Sequence, residues 1–195
     1  MMGNVLQDQR MFRVLLQAMA HPGRVYQAPF SGNRSEVLIS VLEALLDQEV
    51  SCCVLSPERE IYEQKIHAVT HCKSTGPGEA DFIVVPGGNS GGGILEAKRG
   101  TLEYPDQGAT AVYGVDSLNT TGNGTPQFAL LGPGIKNRIC IVMKGFPCDE
   151  LLRIRQINAE FPLGVDCIFI DRAGNLLCIP RSVQIQVSTY GLCGR

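Results

Sequence analysis

Seven residues of this chain have the types and positions needed to contact a ligand or a partner. His21 ends a predicted helix, Gly132-Pro133-Gly134 forms a rigid turn with backbone amides free to meet another molecule, and Arg181 follows a strand. Cationic side chains and turn amides are groups that bind anions. The candidate contact residues are Arg13, His21, Gly132, Pro133, Gly134, Asp166 and Arg181. Carboxylates are scattered and spacing pairs none of them, so the catalytic residues stay unassigned.

A glycine-rich stretch, Gly87 to Gly93, follows an apolar strand and precedes a short predicted helix. This is the context in which backbone N–H groups bind phosphate. A Walker A loop requires Lys and then Ser or Thr after its last glycine, but Gly93 and Ile94 follow Gly92. The glycine spacing of a dinucleotide-binding fingerprint is absent as well. The sequence therefore favours a flexible surface loop at these positions.

Two of the three histidines and the eight cysteines raise the question of metal or thiol chemistry. His67 and His71 are four residues apart with Cys72 adjacent, but Ala68 stands where the metalloprotease motif has Glu. Two neighbouring ligands make no metal site without a third. No C-x-x-C pair occurs, and five cysteines lie in apolar strand-like runs, where Cys acts as a small buried hydrophobe. We predict no metal site and keep metal or thiol redox chemistry as an alternative.

Composition and charge exclude several classes of partner. The 195 residues are 44% hydrophobic and 18% charged, with a net charge of −2 and no basic tract, whereas nucleic-acid binding needs clustered positive charge. No apolar run approaches the roughly 18 residues that span a bilayer. The segment from Met1 to Arg13 lacks the apolar core of a signal peptide. We therefore expect a cytoplasmic protein that binds neither nucleic acid nor membrane.

The elements that position these residues alternate between helices and strands in the first half of the chain. Phe12, Leu15, Leu16 and Met19 have the spacing of one buried helical stripe, and Ser35 is a good N-cap for a second helix. The order of elements predicts an α/β protein with a mixed sheet and helices packed on it. Apolar strands are predicted at 52–55, 82–85, 109–115, 128–131, 139–143, 165–170 and 176–179.

A set of short segments occurs in a characteristic order along most of the chain. The segments are Phe12-Arg13, 18–23, 45–47, Ala80-Asp81, Gly100 with Pro105, 108–110, 131–135, 161–166 and 179–181. Each is weak alone, but the ordered set is specific, and with it the chain resembles the PhnH family of the bacterial carbon–phosphorus lyase system. Ser182 stands where the family more often has Thr. The glycine-rich stretch 87–93 is outside the family pattern.

The resemblance implies a three-layer α/β fold, with a mixed sheet and helices on both faces. This fold is similar to that of pyridoxal-phosphate-dependent transferases but lacks the cofactor site, so no cofactor is expected. The resemblance also implies a homodimer and a core complex with PhnG-, PhnI- and PhnJ-type subunits that acts on organic phosphonates. Residues 1–187 are expected to form a single domain, followed by a poorly ordered tail, 188–195.

Two interpretations of function follow from the resemblance and the residues. In the first, the chain is a non-catalytic or co-catalytic subunit. The complex then displaces the adenine of ATP by a phosphonate, which gives a ribose 1-phosphonate 5-triphosphate, with the PhnI-type subunit as the expected seat of that step. In the alternative, the chain is a stand-alone nucleotide- or phosphonate-binding enzyme. Arg13, His21, Gly132, Gly134 and Arg181 would then supply charge and amides for an anion.

Overall fold

The computed structural model describes residues 5–29, 32–120 and 128–187. The α-helices in these residues are α1 (Val5–Ala20), α2 (Arg34–Leu45), α3 (Arg59–Thr70) and α4 (Cys148–Ile157). Among these described helices, none has the length and apolarity to cross a membrane. The strands are β1 (Tyr26–Gln27), β2 (Ser51–Val54), β3 (Lys73–Ser74), β4 (Phe82–Val85), β5 (Thr110–Gly114), β6 (Ser117–Asn119), β7 (Phe128–Leu131), β8 (Ile139–Lys144), β9 (Asp166–Ile170), β10 (Asn175–Ile179) and β11 (Gln184–Val187). The predicted tail, 188–195, lies outside the described residues.

A seven-stranded mixed sheet forms the centre of the fold, in the order β1-β10-β9-β5-β4-β2-β3. Strands β3, β2, β4, β5 and β9 are parallel to one another. Strand β10 pairs antiparallel with β9, and β1 pairs antiparallel with β10. The inner strands are continuous apolar runs because both faces of such a sheet are covered. The strands at its two margins, β1 and β3, have only two residues each.

Helices α1, α2 and α3 cover one face of the central sheet. In α1 the side chains turned toward the sheet are Met11, Leu15 and Ala18, which have i, i+4, i+7 spacing. The predicted stripe was therefore wrong for Phe12 and Leu16, which are 46% and 52% exposed. Ala18 is small, so this orientation lets the end of α1 approach the sheet closely, and it leaves two large apolar side chains in solvent.

Helix α2 begins one residue before the predicted N-cap Ser35. Asn33 is the N-cap: its side chain accepts a hydrogen bond from the Glu36 amide, and the Glu36 carboxylate accepts one from the Asn33 amide. This reciprocal capping box satisfies two of the helix's unpaired N–H groups. The cap also fixes the position of Arg34, the first helical residue.

The second face of the central sheet is covered by a four-stranded antiparallel sheet, β11-β7-β8-β6, together with α4. Phe128, Leu130 and Ile141 of the second sheet share one apolar cluster with Leu151 and Ile154 of α4. The prediction of a mixed sheet between layers is confirmed. The prediction of helices on both faces is correct only in part, because α4 shares the second face with strands.

The parallel strands give the central sheet two unlike ends. Strands β2, β4, β5 and β9 all begin at one end, termed here the amino end, and all finish at the other, termed the carboxyl end. The loops at each end are therefore the places where side chains from distant parts of the sequence meet.

Candidate functional site

Two of the predicted contact residues meet at the amino end of the sheet. Asp166 begins β9, and Arg181 follows β10, its hairpin partner. Asp166 Oδ2 accepts hydrogen bonds from Arg181 Nη2 at 2.6 Å and Nε at 3.1 Å, while Oδ1 accepts one from the Arg181 amide at 2.8 Å. The side chains of Arg181 and Asp166 are only 13% and 26% exposed. This is a part-buried ion pair in which two guanidinium donors share one carboxylate oxygen.

The remaining guanidinium donors of Arg181 bind backbone carbonyls of the preceding loop. Nη1 donates to the Pro105 carbonyl at 2.5 Å and Nη2 to the Gly108 carbonyl at 3.3 Å. A Cβ at Gly108 would lie 2.3 Å from Arg181 Nη1 and 2.5 Å from the Gly164 carbonyl oxygen, so only glycine fits there. All three guanidinium nitrogens therefore have protein acceptors, and Arg181 fastens this loop to the hairpin.

A second ion pair lies at the same end. Asp81 binds Lys98 Nζ at 2.5 Å, the Ser51 hydroxyl at 2.7 Å and the Ser51 amide at 2.9 Å. Burial by itself would raise the pKa of Asp81, but the hydrogen bonds from Lys98 and Ser51 outweigh it and hold that pKa below its usual value. Asp81 and Lys98 thus form a second matched pair of charges at the amino end.

The predicted Gly132-Pro133-Gly134 turn lies between the end of α1 and the segment after Arg181. A Cβ at Gly134 would lie 2.7 Å from the Ala20 carbonyl oxygen, and one at Gly132 would lie 3.2 Å from the Ser182 carbonyl oxygen. Both glycines have positive φ, so their conformation and their neighbours each favour glycine. These contacts are structural reasons for the turn's composition.

The remaining two predicted residues lie on α1 and directly after it. His21 caps the end of the helix, where its Nδ1 is 3.0 Å from the Gln17 carbonyl oxygen. Arg13 is exposed two helical turns earlier. The structure thus connects His21, through the adjacent Gly134 turn, to the segment that carries Arg181, and leaves Arg13 outside this group.

A groove opens beside Arg181 at the amino end. Two cavities, of about 430 and 410 Å³, share Phe161 and Arg181 in their walls. Phe161 is 63% exposed, and Leu102 and Tyr104 of the neighbouring loop are exposed as well. Clustered exposed apolar side chains of this size are typical of a surface that contacts another protein.

Sequence reasoning missed a buried carboxylate, Glu150, on the second face of the sheet. Its Oε1 accepts a hydrogen bond from the Tyr113 hydroxyl at 2.9 Å, and its Oε2 pairs with Arg153 at 2.9 Å. Burial is the main cause that raises the pKa of Tyr113 well above its usual value. The sequence did contain a signal for this burial, because Glu150, Ile154 and Ile157 have the i, i+4, i+7 spacing of one helix face. With all partners satisfied, the group joins α4 to β5.

The glycine-rich stretch also contains a pattern that sequence reasoning missed, Gly88-Asn89-Ser90-Gly91-Gly92, which matches the Gly-x-Ser-x-Gly nucleophile elbow. An elbow holds its serine in strained backbone geometry with a histidine base beside it. Among the described residues, the only non-glycine residue with positive φ is His71. The Ser90 Oγ accepts hydrogen bonds from the amides of Gly92 and Ile94 instead. Ser90 therefore organises the loop and is not placed as a nucleophile.

The histidines and cysteines of the metal hypothesis lie at the end of α3 and in the strands. His67 Nδ1 is 3.2 Å from the Cys72 carbonyl oxygen, and His71 is the left-handed C-cap of the helix, which runs to Thr70. Over the described ranges, no group of three His, Cys, Asp or Glu side chains could hold a metal ion. The thiols of Cys52 and Cys72 are 3.1 Å apart and buried. Burial raises the pKa of Cys52, which disfavours the reactive thiolate.

The protein is thus of the α/β class, with a central mixed sheet. Among its predicted contact residues, Asp166 and Arg181 mainly hold loops in place. The bacterial phosphonate metabolism protein family, PhnH, matches residues 2–186. The chain belongs to this family.

Two relatives support the family assignment. A protein of Stutzerimonas stutzeri, named C-P lyase subunit protein HtxG, is 30% identical over 92% of this chain and 86% of its own length. A protein of Rhizobium meliloti (strain 1021), named alpha-D-ribose 1-methylphosphonate 5-triphosphate synthase subunit PhnH, is 31% identical over 93% of this chain and 92% of its own length. The resemblance noted from the ordered segments is confirmed.

Proposed function

We propose that this chain is the PhnH-type subunit of a carbon–phosphorus lyase system that breaks down organic phosphonates. The observation that carries the proposal is the family match over residues 2–186, nearly the whole chain. Both relatives are named as subunits, one of C-P lyase and one of a ribose 1-methylphosphonate 5-triphosphate synthase. The chain supports formation of ribose 1-phosphonate 5-triphosphate from ATP and a phosphonate in a non-catalytic or co-catalytic role.

The chemistry of the amino end supports a role in assembly more than in catalysis. Arg181 and Asp166 satisfy each other, so neither is available to bind a substrate or to transfer a proton. Large apolar side chains are exposed beside them, at Leu102, Tyr104 and Phe161. Aromatic residues are enriched at protein–protein interfaces, where they bury large areas.

The finer parts of the proposal concern partners, fold relationship and location. We propose that the chain forms a homodimer, joins PhnG-, PhnI- and PhnJ-type subunits, and works in the cytoplasm. A fold similar to that of pyridoxal-phosphate-dependent transferases, without their cofactor, belongs to the same proposal, as does a single domain over residues 1–187. The exposed Phe12 and Leu16 of α1 provide a second apolar surface for such contacts.

Co-expression with PhnG-, PhnI- and PhnJ-type subunits tests the proposal. With an affinity tag on the PhnI-type subunit, this chain is expected to co-purify in a fixed ratio through size-exclusion chromatography. The assembled complex should convert MgATP and methylphosphonate to the triphosphate product, detected by ³¹P NMR. A chain that stays monomeric and never co-purifies would contradict the assignment.

A matched pair of variants then locates the contact surface. Phe161→Ser is expected to reduce co-purification, because it removes an aromatic side chain from the amino-end groove. Ile61→Ser is the control, since Ile61 is also an exposed large apolar residue, at 52%, but lies on α3. Circular dichroism should show both variants folded. Equal co-purification of the two variants would place the contact elsewhere.

A further inference from the structure

The carboxyl end of the central sheet contains a topological switch point between β2 and β4. These strands are adjacent and parallel, but their loops diverge to opposite faces. The loop after β2 leads into α3, whose Ile66 packs in the first-face cluster, whereas the loop after β4 leads to Ile94, which packs in the second-face cluster. In open α/β sheets, ligands bind in the crevice that such diverging loops leave.

A cavity of about 700 Å³ fills this crevice. It exceeds the two amino-end cavities, of about 430 and 410 Å³, and lies within the size range of small-molecule sites. Its walls come from the end of β2 and from the loops that follow β2 and β4. The lining residues are Val54, Leu55, Ser56, Pro57, Arg59, Gly87, Asn89, Ser90 and Gly91.

The polar side chains of the lining use their acceptor atoms locally. Ser56 Oγ accepts from the Glu58 amide at 3.1 Å, and Asn89 Oδ1 accepts from the Gly91 amide at 2.9 Å. Ser90 Oγ accepts from two backbone amides, at 3.2 and 3.3 Å. The two hydroxyl hydrogens and the Asn89 amide hydrogens are the groups left to meet a ligand. These donors match an oxygen-rich anion.

Arg59 adds a charged donor to the same wall. Its Nε binds Glu63 at 2.8 Å, and the side chain is 53% exposed, which leaves the two terminal nitrogens outside this ion pair. A guanidinium with free terminal N–H groups suits the oxygens of a phosphate or phosphonate, which it binds in pairs. The lining therefore combines one cationic group with several neutral donors.

Two more arginines raise the positive charge of the carboxyl end. Arg34 and Arg172 share one carboxylate, Asp116, at 3.5 and 2.6 Å. Arg34 lies against Gly114, whose Cβ position is also 2.4 Å from the carbonyl of Pro86, the residue before the glycine-rich stretch. Together with Arg59, which pairs with Glu63, they place three guanidinium groups at the carboxyl end, each in an ion pair with a carboxylate.

We infer that the crevice between β2 and β4 binds a small molecule through a tetrahedral oxyanion of the phosphate or phosphonate type. The hydroxyls of Ser56 and Ser90, the Asn89 amide and the Arg59 guanidinium are its donors, and Leu55 and Pro57 provide an apolar wall. This inference goes beyond the proposed function, because membership of a complex requires no ligand on this chain.

NMR titration of the isolated, isotope-labelled full chain tests the inference, with inorganic phosphate, methylphosphonate and MgATP in separate arms. Amide shifts are expected for residues 55–59 and 87–93. The arms separate the sources of the oxyanion: preference for methylphosphonate indicates use of the apolar wall, and preference for MgATP indicates a nucleotide phosphate. Absence of shifts in all three arms, or shifts confined to other residues, would overturn the site.

Two variants and one control sharpen the test. Asn89→Asp keeps the oxygen that accepts from Gly91 but replaces the amide donor by a negative charge, and Arg59→Gln removes the guanidinium. Each should weaken binding about tenfold, while Arg155→Gln, an exposed arginine of the amino-end groove, should leave it unchanged. Equal weakening by all three would show non-specific charge attraction and overturn the site. Because the assay uses this chain alone, its outcome is independent of co-purification.

Discussion

The two ends of the central sheet differ in how their charges are used. At the amino end, Asp166 pairs with Arg181 and Asp81 with Lys98, so two acids balance two bases. At the carboxyl end, three arginines face two carboxylates across diverging loops. The amino end therefore carries ion pairs held within its loops beside a groove, whereas the carboxyl end carries exposed ion pairs beside a larger crevice.

The difference follows from chain topology. At the amino end, the β9–β10 hairpin brings its first and last residues together, and the loop before β5 closes over them. At the carboxyl end, the loops after β2 and β4 leave toward opposite faces, which opens a crevice between them. The charges of Asp166 and Arg181 therefore mainly contribute stability, whereas the Arg59 guanidinium, which is 53% exposed, is the charge that the inferred ligand would meet.

The largest expected loss of stability comes from removing the Arg181 side chain at the amino end. Arg181→Leu should lower the free energy of unfolding by about 3 kcal/mol, because it leaves a part-buried carboxylate and two backbone carbonyls without their donor. Urea denaturation followed by circular dichroism measures the loss. Arg59→Leu at the carboxyl end is the control and should change the stability by less than about 0.5 kcal/mol. Equal losses would refute the distinction between the ends.

The next effect tests the packing beneath the carboxyl end. A Cβ at Gly88 would lie 2.1 Å from the Gly145 carbonyl oxygen, and its φ is +75°, so Gly88→Ala should cost about 3 kcal/mol. Gly91 also has positive φ but has no atom within 4 Å of that position, so Gly91→Ala should cost about 1 kcal/mol. The comparison of their denaturation midpoints separates a steric clash from backbone strain. A larger effect of Gly91→Ala would contradict the described loop.

The smallest effect is the pH dependence of the Asp81 ion pair. The folded pKa of Asp81 lies below its unfolded value of about 3.9, so its contribution is complete above that pH and is lost as the pH falls through the folded pKa. The stability difference between the wild type and Asp81→Asn should stay constant from pH 7 to about 5 and shrink below about 4. At this exposure the difference is below about 1 kcal/mol. A difference that grows on acidification would contradict the pairing.

Much of the central sheet could be predicted because its strands are continuous apolar runs. The boundaries of Phe82–Val85 and Phe128–Leu131 agree with those expected from the sequence. The second sheet could not be assigned to its own layer, since strand runs carry no information about which sheet they join. The orientation of α1 was also missed, because Met11 and Leu15 fit a helical stripe as well as Phe12 and Leu16 do.

The candidate residues were partly predictable as well. Asp166 and Arg181 were each named as candidates in or next to the strands predicted at 165–170 and 176–179, but their pairing was not predicted and appears only in the register of the hairpin. The pairs Asp81–Lys98 and Glu150–Tyr113 join separate elements and required the tertiary structure. The donors inferred for the crevice fit no phosphate-loop motif, because they are side chains from two separate loops, Ser56 and Arg59 after β2 and Asn89 and Ser90 after β4.

The short strands at the two edges of the central sheet, β1 and β3, have a consequence for self-association. A long unpaired strand margin is a template for adding further strands, and exposed margins of this kind lead to aggregation. Strands β1 and β3 offer two residues each, too few for another chain to pair with stably. The central sheet can therefore resist edge-to-edge pairing even though large apolar side chains such as Phe161 and Phe12 are exposed elsewhere on the surface.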